Sequence, residues 1–166
     1  MKWIPLAKVG IIIAFVFNNF INKIPISFIR NIYLFIWIKK YPIKSNFPKY
    51  TYILNGRKIS IGDSVFLEEG CLLDGRKYSI TIGSNVFIGA SSSILTLQHD
   101  SQSKIFSDRG GDVIIEDFVE IGSKVIILPK VRIGHHSKIL SGSVILRDVH
   151  PYSLVGGNPC NIIRKV

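Results

Sequence analysis

Seven residues spaced six apart, Ile115, Ile121, Ile127, Ile133, Ile139, Ile145 and Pro151, run through the C-terminal half of this chain, with glycine following at Gly122 and Gly134. The same beat appears earlier as Ile61, Leu67 and Leu73, is displaced by three residues between Arg76 and Ser79, and resumes at Ile82, Ile88 and Ile94. Ile61-Gly62-Asp63-Ser64-Val65-Phe66 and Ile121-Gly122-Ser123-Lys124-Val125-Ile126 show the common block: an aliphatic residue, often glycine, two polar residues, then a small or β-branched one. A period this short supplies one strand and one corner per block, and neither buries its apolar face alone, so the blocks must stack as a parallel β-helix. Three strands per coil make a triangular prism. The aliphatic residue then points into the prism, while the corner asks for a residue that tolerates positive φ, which Gly, Asn and Asp supply. A β-sandwich, with turn signals every ~8–12 residues, does not hold a register of six over so many blocks.

The 166 residues suit one domain with an appendage. Their net charge of +10 is unevenly placed: residues 1–60 hold ten Lys or Arg and no Asp or Glu, leaving eleven cations and eleven anions for the remainder. In so apolar a setting the N-terminal excess points to an anionic membrane surface rather than to nucleic acid, for which no motif is present. Cys71 and Cys160 have neither the number nor the spacing of a disulfide framework or a zinc site, and both read as small buried residues in a reducing compartment.

Residues 1–45 differ in kind from the rest. Ile4 to Phe20 and Phe28 to Ile38 are apolar runs flanked by Lys2, Lys8, Lys39 and Lys40 and parted by Pro25-Ile26-Ser27. Each is too short or too interrupted for a membrane span of about 20 apolar residues. Two interfacial helices are expected, with Trp3, Tyr33 and Trp37 at the headgroup level; capping the open end of the stack is a compatible role. No A-x-A-like cleavage site follows Val9 to Phe17, which argues against a secretory signal. Residues 46–60 read as a linker, 61–160 as the β-helix and 161–166 as a basic tail. The stretch 97–112 breaks the rhythm, and loops of this length in a compact domain usually carry function.

His99 stands at the root of that excursion, and an imidazole is the side chain whose ordinary pKa suits proton transfer near neutral pH. The repeat blocks, the loop opening with His99-Asp100, and the run Gly142-Ser143-Val144-Ile145-Leu146-Arg147-Asp148 through Val155-Gly156-Gly157-Asn158-Pro159 together resemble the hexapeptide-repeat acyltransferases of the sugar and polysaccharide O-acetyltransferase type. The resemblance covers about residues 55–166. It implies an all-β, left-handed parallel β-helix carrying the N-terminal apolar helical extension, assembled as a homotrimer. Acetyl-CoA would lie between neighbouring prisms and a saccharide would be the acceptor. By the same resemblance His99 is the general base, with no covalent intermediate and no metal, and Ser123 with nearby backbone N–H groups receives the developing oxyanion. Gly122, Ser123, Ser141 and Gly142 line the cofactor arm, and Arg147 and Arg164 meet its nucleotide end. Asn85 and Asp100 are candidate acceptor contacts, with Asp100 also a candidate for holding the histidine tautomer.

The chain departs from its relatives at Ser91-Ser92-Ser93, where simple sugar acetyltransferases carry an asparagine, at Glu120 in place of tryptophan, and at Cys160 in place of alanine. His135 and His136 fall on polar corner positions and His150 in the tail, where exposure is expected. The implied function is acetylation of a saccharide hydroxyl in surface-polysaccharide or glycolipid assembly, with a lipid-linked acceptor, on the cytoplasmic side and peripheral to the membrane. An N-acetyltransferase acting on an amino sugar and a non-catalytic β-helix scaffold are the competing readings.

Overall fold

The computed structural model describes residues 6–42, 44–45, 47–99 and 107–166, with side chains from residue 9 onward. Three parallel sheets form the sides of a prism. The first face takes Tyr52–Leu54, Leu72–Asp74, Ser93–Leu95, Ile126–Ile127 and Val144–Ile145. Ile59–Ile61, Ile80–Ile82, Val113–Ile115 and Arg132–Ile133 make the second; Phe66–Leu67, Phe87–Ile88, Glu120–Ile121, Lys138–Ile139 and Ser153–Gly156 make the third. The chain visits the faces in that order and climbs one coil per circuit.

Strand register turns the six-residue beat into columns. Ile53, Leu73, Ile94, Ile127 and Ile145 stack on the first face. Ile61, Ile82, Ile115 and Ile133 stack on the second, and Leu67, Ile88, Ile121, Ile139 and Val155 on the third. All are buried, as are Val65, Val86, Val119, Val125 and Cys71 at the small-residue positions between them. Each such aliphatic side chain contributes about 1.5–3 kcal/mol by leaving water. Pro151 leaves the column: it is exposed, and Val149 and Val155 carry the last coil inward. Val149 bridges Ile133 two residues before the beat would bring a partner there, so Pro151 falls at a corner.

The corners bear out the expectation about glycine and asparagine only in part. Their left-handed positions are held by Ser64, Asn85, Phe118, His136 and Tyr152 on one edge and by Gly70, Ser91, Lys124 and Gly142 on another, so glycine and asparagine serve some corners as expected and other residue types serve the rest. The N–H groups of Phe118, His136 and Tyr152 donate to the coil below, which offsets the local strain. Gly89 and Gly122 serve closeness instead: a Cβ on Gly89 would lie 2.5 Å from the Ser123 nitrogen, and one on Gly122 would lie 2.6 Å from the Ser141 nitrogen.

Helices α1 (Leu6–Asn19) and α2 (Ser27–Trp37) cover the first coil. Phe17, Leu34, Trp37 and Phe47 join Ile53 in the core. Asn18 substitutes for a missing strand, its Nδ2 donating to the Ile53 carbonyl at 2.8 Å and its Oδ1 accepting from the Ile53 N–H at 3.0 Å. The open sheet end therefore has its hydrogen bonds met, as a solenoid terminus requires. Trp37 is buried, and Tyr33 stacks on Phe17 and donates to the Ile13 carbonyl at 2.9 Å, so both face the core rather than a headgroup layer. Trp3 lies outside the described residues. Among those described, no helix is long and apolar enough to cross a membrane. The first coil begins at Tyr52, inside the stretch expected to be linker, because its turn at Asn55–Lys58 is not a hexapeptide. The basic tail is a strand, Asn161–Lys165, antiparallel to Ser153–Gly156.

Candidate active site

The excursion after Leu95 is built from its root outward. The buried Thr96 hydroxyl donates to the Asp74 carbonyl at 2.6 Å, and the Thr96 carbonyl accepts from the Gly111 N–H at 3.1 Å. Asp112 accepts from the Ser79 hydroxyl at 2.6 Å and the Ser79 N–H at 2.7 Å, and these bonds hold its carboxyl below the usual carboxylate range. From this clamp an antiparallel arm projects, Leu97–His99 pairing with Asp108–Gly110 in the register Leu97 to Gly110, Gln98 to Arg109 and His99 to Asp108. Antiparallel pairing reverses the chain here and sets the arm apart from the parallel sheets, with His99 at its outer end. Asp100 lies outside the described residues.

The His99 side chain is 73% exposed, with Nδ1 3.8 Å from Asp108 Oδ1; Asp108 Oδ2 accepts from Lys77 Nζ at 3.1 Å. Beside the arm a cleft of about 350 Å³ is lined by Gln98, Arg109, Leu128, Pro129, Lys130 and Leu146. Leu146 also borders a second cleft of about 470 Å³, whose walls include Arg147 and Cys160. Exposed Arg109, Lys130 and Arg147 therefore follow one edge of the prism, where the first face turns into the second. Such a row favours a phosphate-bearing ligand by charge-assisted hydrogen bonding. Cys160 is half-buried there and Cys71 fully buried, and burial pushes both thiols up in pKa.

The remaining expected site residues sit elsewhere. Gly122, Ser123, Ser141 and Gly142 form the opposite edge of the first face, where the Ser123 N–H donates to Ser141 Oγ at 3.1 Å. That bond engages the Ser123 backbone donor within the chain. Five residues separate Ala90, which accepts from the Lys124 N–H, from Leu95, so at about 3.3 Å per residue the face is roughly 15 Å wide. One chain thus does not bring His99 and Ser123 together. Asn85 occupies the third edge, in left-handed conformation, and Arg164 pairs with Leu154 beyond the third face.

Three features were not anticipated from sequence. Asp108 faces His99 from the returning strand of the arm, and Lys130 reaches the cleft beside it from a later block. The third edge carries a column of rings, Phe118 on His136 at 4.8 Å and His136 on Tyr152 at 5.0 Å. His135 is half-buried against it, with its Nδ1 3.1 Å from His136 Nδ1, so one imidazole donates to the other. Among the described residues, no group of three or more His, Cys, Asp or Glu is placed to hold a metal ion.

Residues 112–147 match the family described as bacterial transferase hexapeptide (six repeats). Galactoside O-acetyltransferase of Escherichia coli is 30% identical over 120 residues, which are 69% of this chain and 58% of that protein. The chain thus spans little more than half the length of that relative. A hexapeptide-repeat acetyltransferase from Vibrio cholerae, solved with acetyl coenzyme A, superposes with a TM-score of 0.84 at 29% identity over 96% of this chain and 86% of its own. A maltose O-acetyltransferase from Clostridium difficile gives 0.86 at 27% identity over the same shares. These neighbours imply a left-handed coil. The stacked six-residue blocks, the family match and these two superpositions agree that this chain belongs to the hexapeptide-repeat transferase family.

Proposed function

We propose that the protein is an acetyl-CoA-dependent O-acetyltransferase whose acceptor is a saccharide hydroxyl. The observation that carries this reading is the arm: a folded projection places His99 next in the chain to Gln98, which lines a cleft with Arg109 and Lys130. His99 takes the hydroxyl proton, and the acceptor oxygen forms its new bond to the thioester carbonyl carbon. The Ser123 hydroxyl donates to the carbonyl oxygen as negative charge gathers there. When the carbon–sulfur bond breaks, the proton held by His99 passes to the leaving thiolate. General-base assistance of this kind is worth about 10²–10⁴ in rate.

Because one chain keeps His99 and Ser123 on opposite edges of a face, the proposed site takes them from neighbouring subunits of a homotrimer, with the co-substrate in the groove between. The cations Arg109, Lys130 and Arg147 suit its phosphates, with Arg164 at the far end. Small residues at Ser141 and Gly142 leave room for its arm; no atom lies within 4 Å of where a Gly142 Cβ would be. The acceptor is lipid-linked, as in surface-polysaccharide or glycolipid assembly, and the enzyme sits peripherally at the cytoplasmic face of the membrane. The basic, apolar N-terminal segment supports that placement.

Acetyl-CoA binding is tested by thermal unfolding. A ligand that binds only the folded state at about 100 times its Kd adds about 2.7 kcal/mol, a rise of several degrees. No rise at millimolar co-substrate would return the protein to the scaffold reading.

A further inference from the structure

Helix α2 is amphipathic the wrong way round for a capping element. Its buried face holds Arg30, Leu34 and Trp37, whereas Phe28, Ile29, Ile32, Phe35 and Ile36 form one outward stripe at helical spacing. Phe28 is 69% and Ile36 79% exposed. The inward arginine is fully engaged: Nε and Nη2 donate to the Phe47 carbonyl at 3.3 and 3.1 Å, and Nη1 donates to the Ile24 carbonyl. The helix therefore has no freedom to roll its apolar stripe inward. Helix α1 adds Ile11, Ile12 and Phe15 to the outward surface, and the Phe15 ring meets Phe20 edge-on at 6.3 Å. A solenoid cap needs a polar outer face for solubility, and this one is apolar.

Charge identifies what covers it. Lys23, Lys39, Lys40 and Lys44 are exposed around the two helices, within a segment of sixty residues that has ten cations and no anion. A second copy joined by this face would set those cations against ten more, and the remainder of the chain, with equal numbers of each sign, offers nothing to neutralise them. An anionic bilayer meets both demands, since it takes apolar side chains at its boundary and attracts each flanking lysine by about 1 kcal/mol. We infer that the outward faces of α1 and α2 are a membrane-docking surface selective for anionic lipid, while the inward faces of the same helices close the β-helix. This deepens the peripheral placement proposed above and rests on it.

The test uses the full chain and sedimentation with phosphatidylcholine vesicles, pure or containing about a third phosphatidylglycerol. Phe28→Ser, Ile32→Ser and Phe35→Ser are combined in one variant, with Lys39→Glu plus Lys40→Glu as a second; all these side chains are exposed. The wild type is expected to bind the anionic vesicles at least tenfold more tightly than the neutral ones. Each variant is expected to lose most of that binding while keeping the melting temperature and particle mass of the wild type. A wild type that ignores anionic vesicles, or a serine variant that binds them as well as the wild type does, overturns the inference. A serine variant of smaller particle mass overturns it too, by making the face a contact between copies. Acetyl transfer to a lipid-linked oligosaccharide held in neutral detergent, without vesicles, is followed in parallel and is expected to be equal in all three proteins. Its absence throughout would count against the proposed activity and leave the vesicle result standing.

Discussion

His99 and Asp108 face each other across the two strands of the arm, Nδ1 to Oδ1 at 3.8 Å, and the far oxygen of Asp108 is held by Lys77. The separation exceeds a hydrogen bond, but a carboxylate at that distance from one imidazole nitrogen favours the tautomer that keeps its proton there. The other nitrogen then accepts. In the proposed reaction Asp108 is therefore a positioning residue, in the role first considered for Asp100. Asp108→Asn is expected to lower kcat by roughly tenfold to a hundredfold with little change in KM for acetyl-CoA, because lost orientation weakens proton transfer and leaves cofactor contacts alone. Steady-state kinetics on both substrates check this split.

Close approach of coils gives a second expectation. A methyl group on Gly122 would sit 2.6 Å from the Ser141 backbone nitrogen, which has no flexible side chain to swing aside. Gly122→Ala is expected to destabilise the fold by about 1–3 kcal/mol through overpacking and to displace the neighbouring Ser123. Urea unfolding with an unchanged m-value, together with reduced turnover in the fraction that remains folded, is the predicted combination.

Arg30 offers a third, independent of catalysis. Arg30→Leu leaves the Phe47 and Ile24 carbonyls without their donor in a buried setting and is expected to cost about 2–3 kcal/mol. Amide exchange should show the loss concentrated in α2 and the first coil, with the later coils protected as before.

Acid should loosen the root of the arm. The bonds from Ser79 lower the Asp112 pKa relative to the unfolded chain, so its contribution is fully present above the ordinary carboxyl range and is lost as pH falls through the depressed folded value. Asp112→Asn is expected to be less stable than wild type at pH 7 and to lose this part of the pH dependence below about pH 4. Chemical unfolding at several pH values gives the comparison, and parallel curves for the two proteins would contradict it.

The aliphatic columns were legible because a one-dimensional period maps directly onto stacking: Ile121 finds Ile88 and Ile139 only if the spacing holds. The corners were half legible. Glycine after the aliphatic residue signals something special, but spacing alone does not separate a need for positive φ from a need for closeness, and Gly122 is the second kind. The arm was visible as an interruption and not as a structure. Gln98-His99 and Asp108-Arg109 carry no alternation, and their pairing depends on a root clamped by Thr96 and Asp112. Helix α2 was expected from its hydrophobic run, yet its orientation was hidden, since Arg30 turns inward for carbonyls supplied by residues outside the helix. Ser123 and His99 looked like partners in sequence, and only the width of the first face separates them.

The central claim is base-assisted acetyl transfer to a sugar hydroxyl, and thiol release from acetyl-CoA tests it most directly. Wild type and His99→Ala are to be assayed side by side against simple sugars, nucleotide sugars and lipid-linked oligosaccharides. Turnover with at least one hydroxyl acceptor, reduced by about 10²–10⁴ in the variant while both proteins bind acetyl-CoA alike, is the predicted result. Equal turnover in the two proteins, or no turnover and no binding in either, would contradict the account.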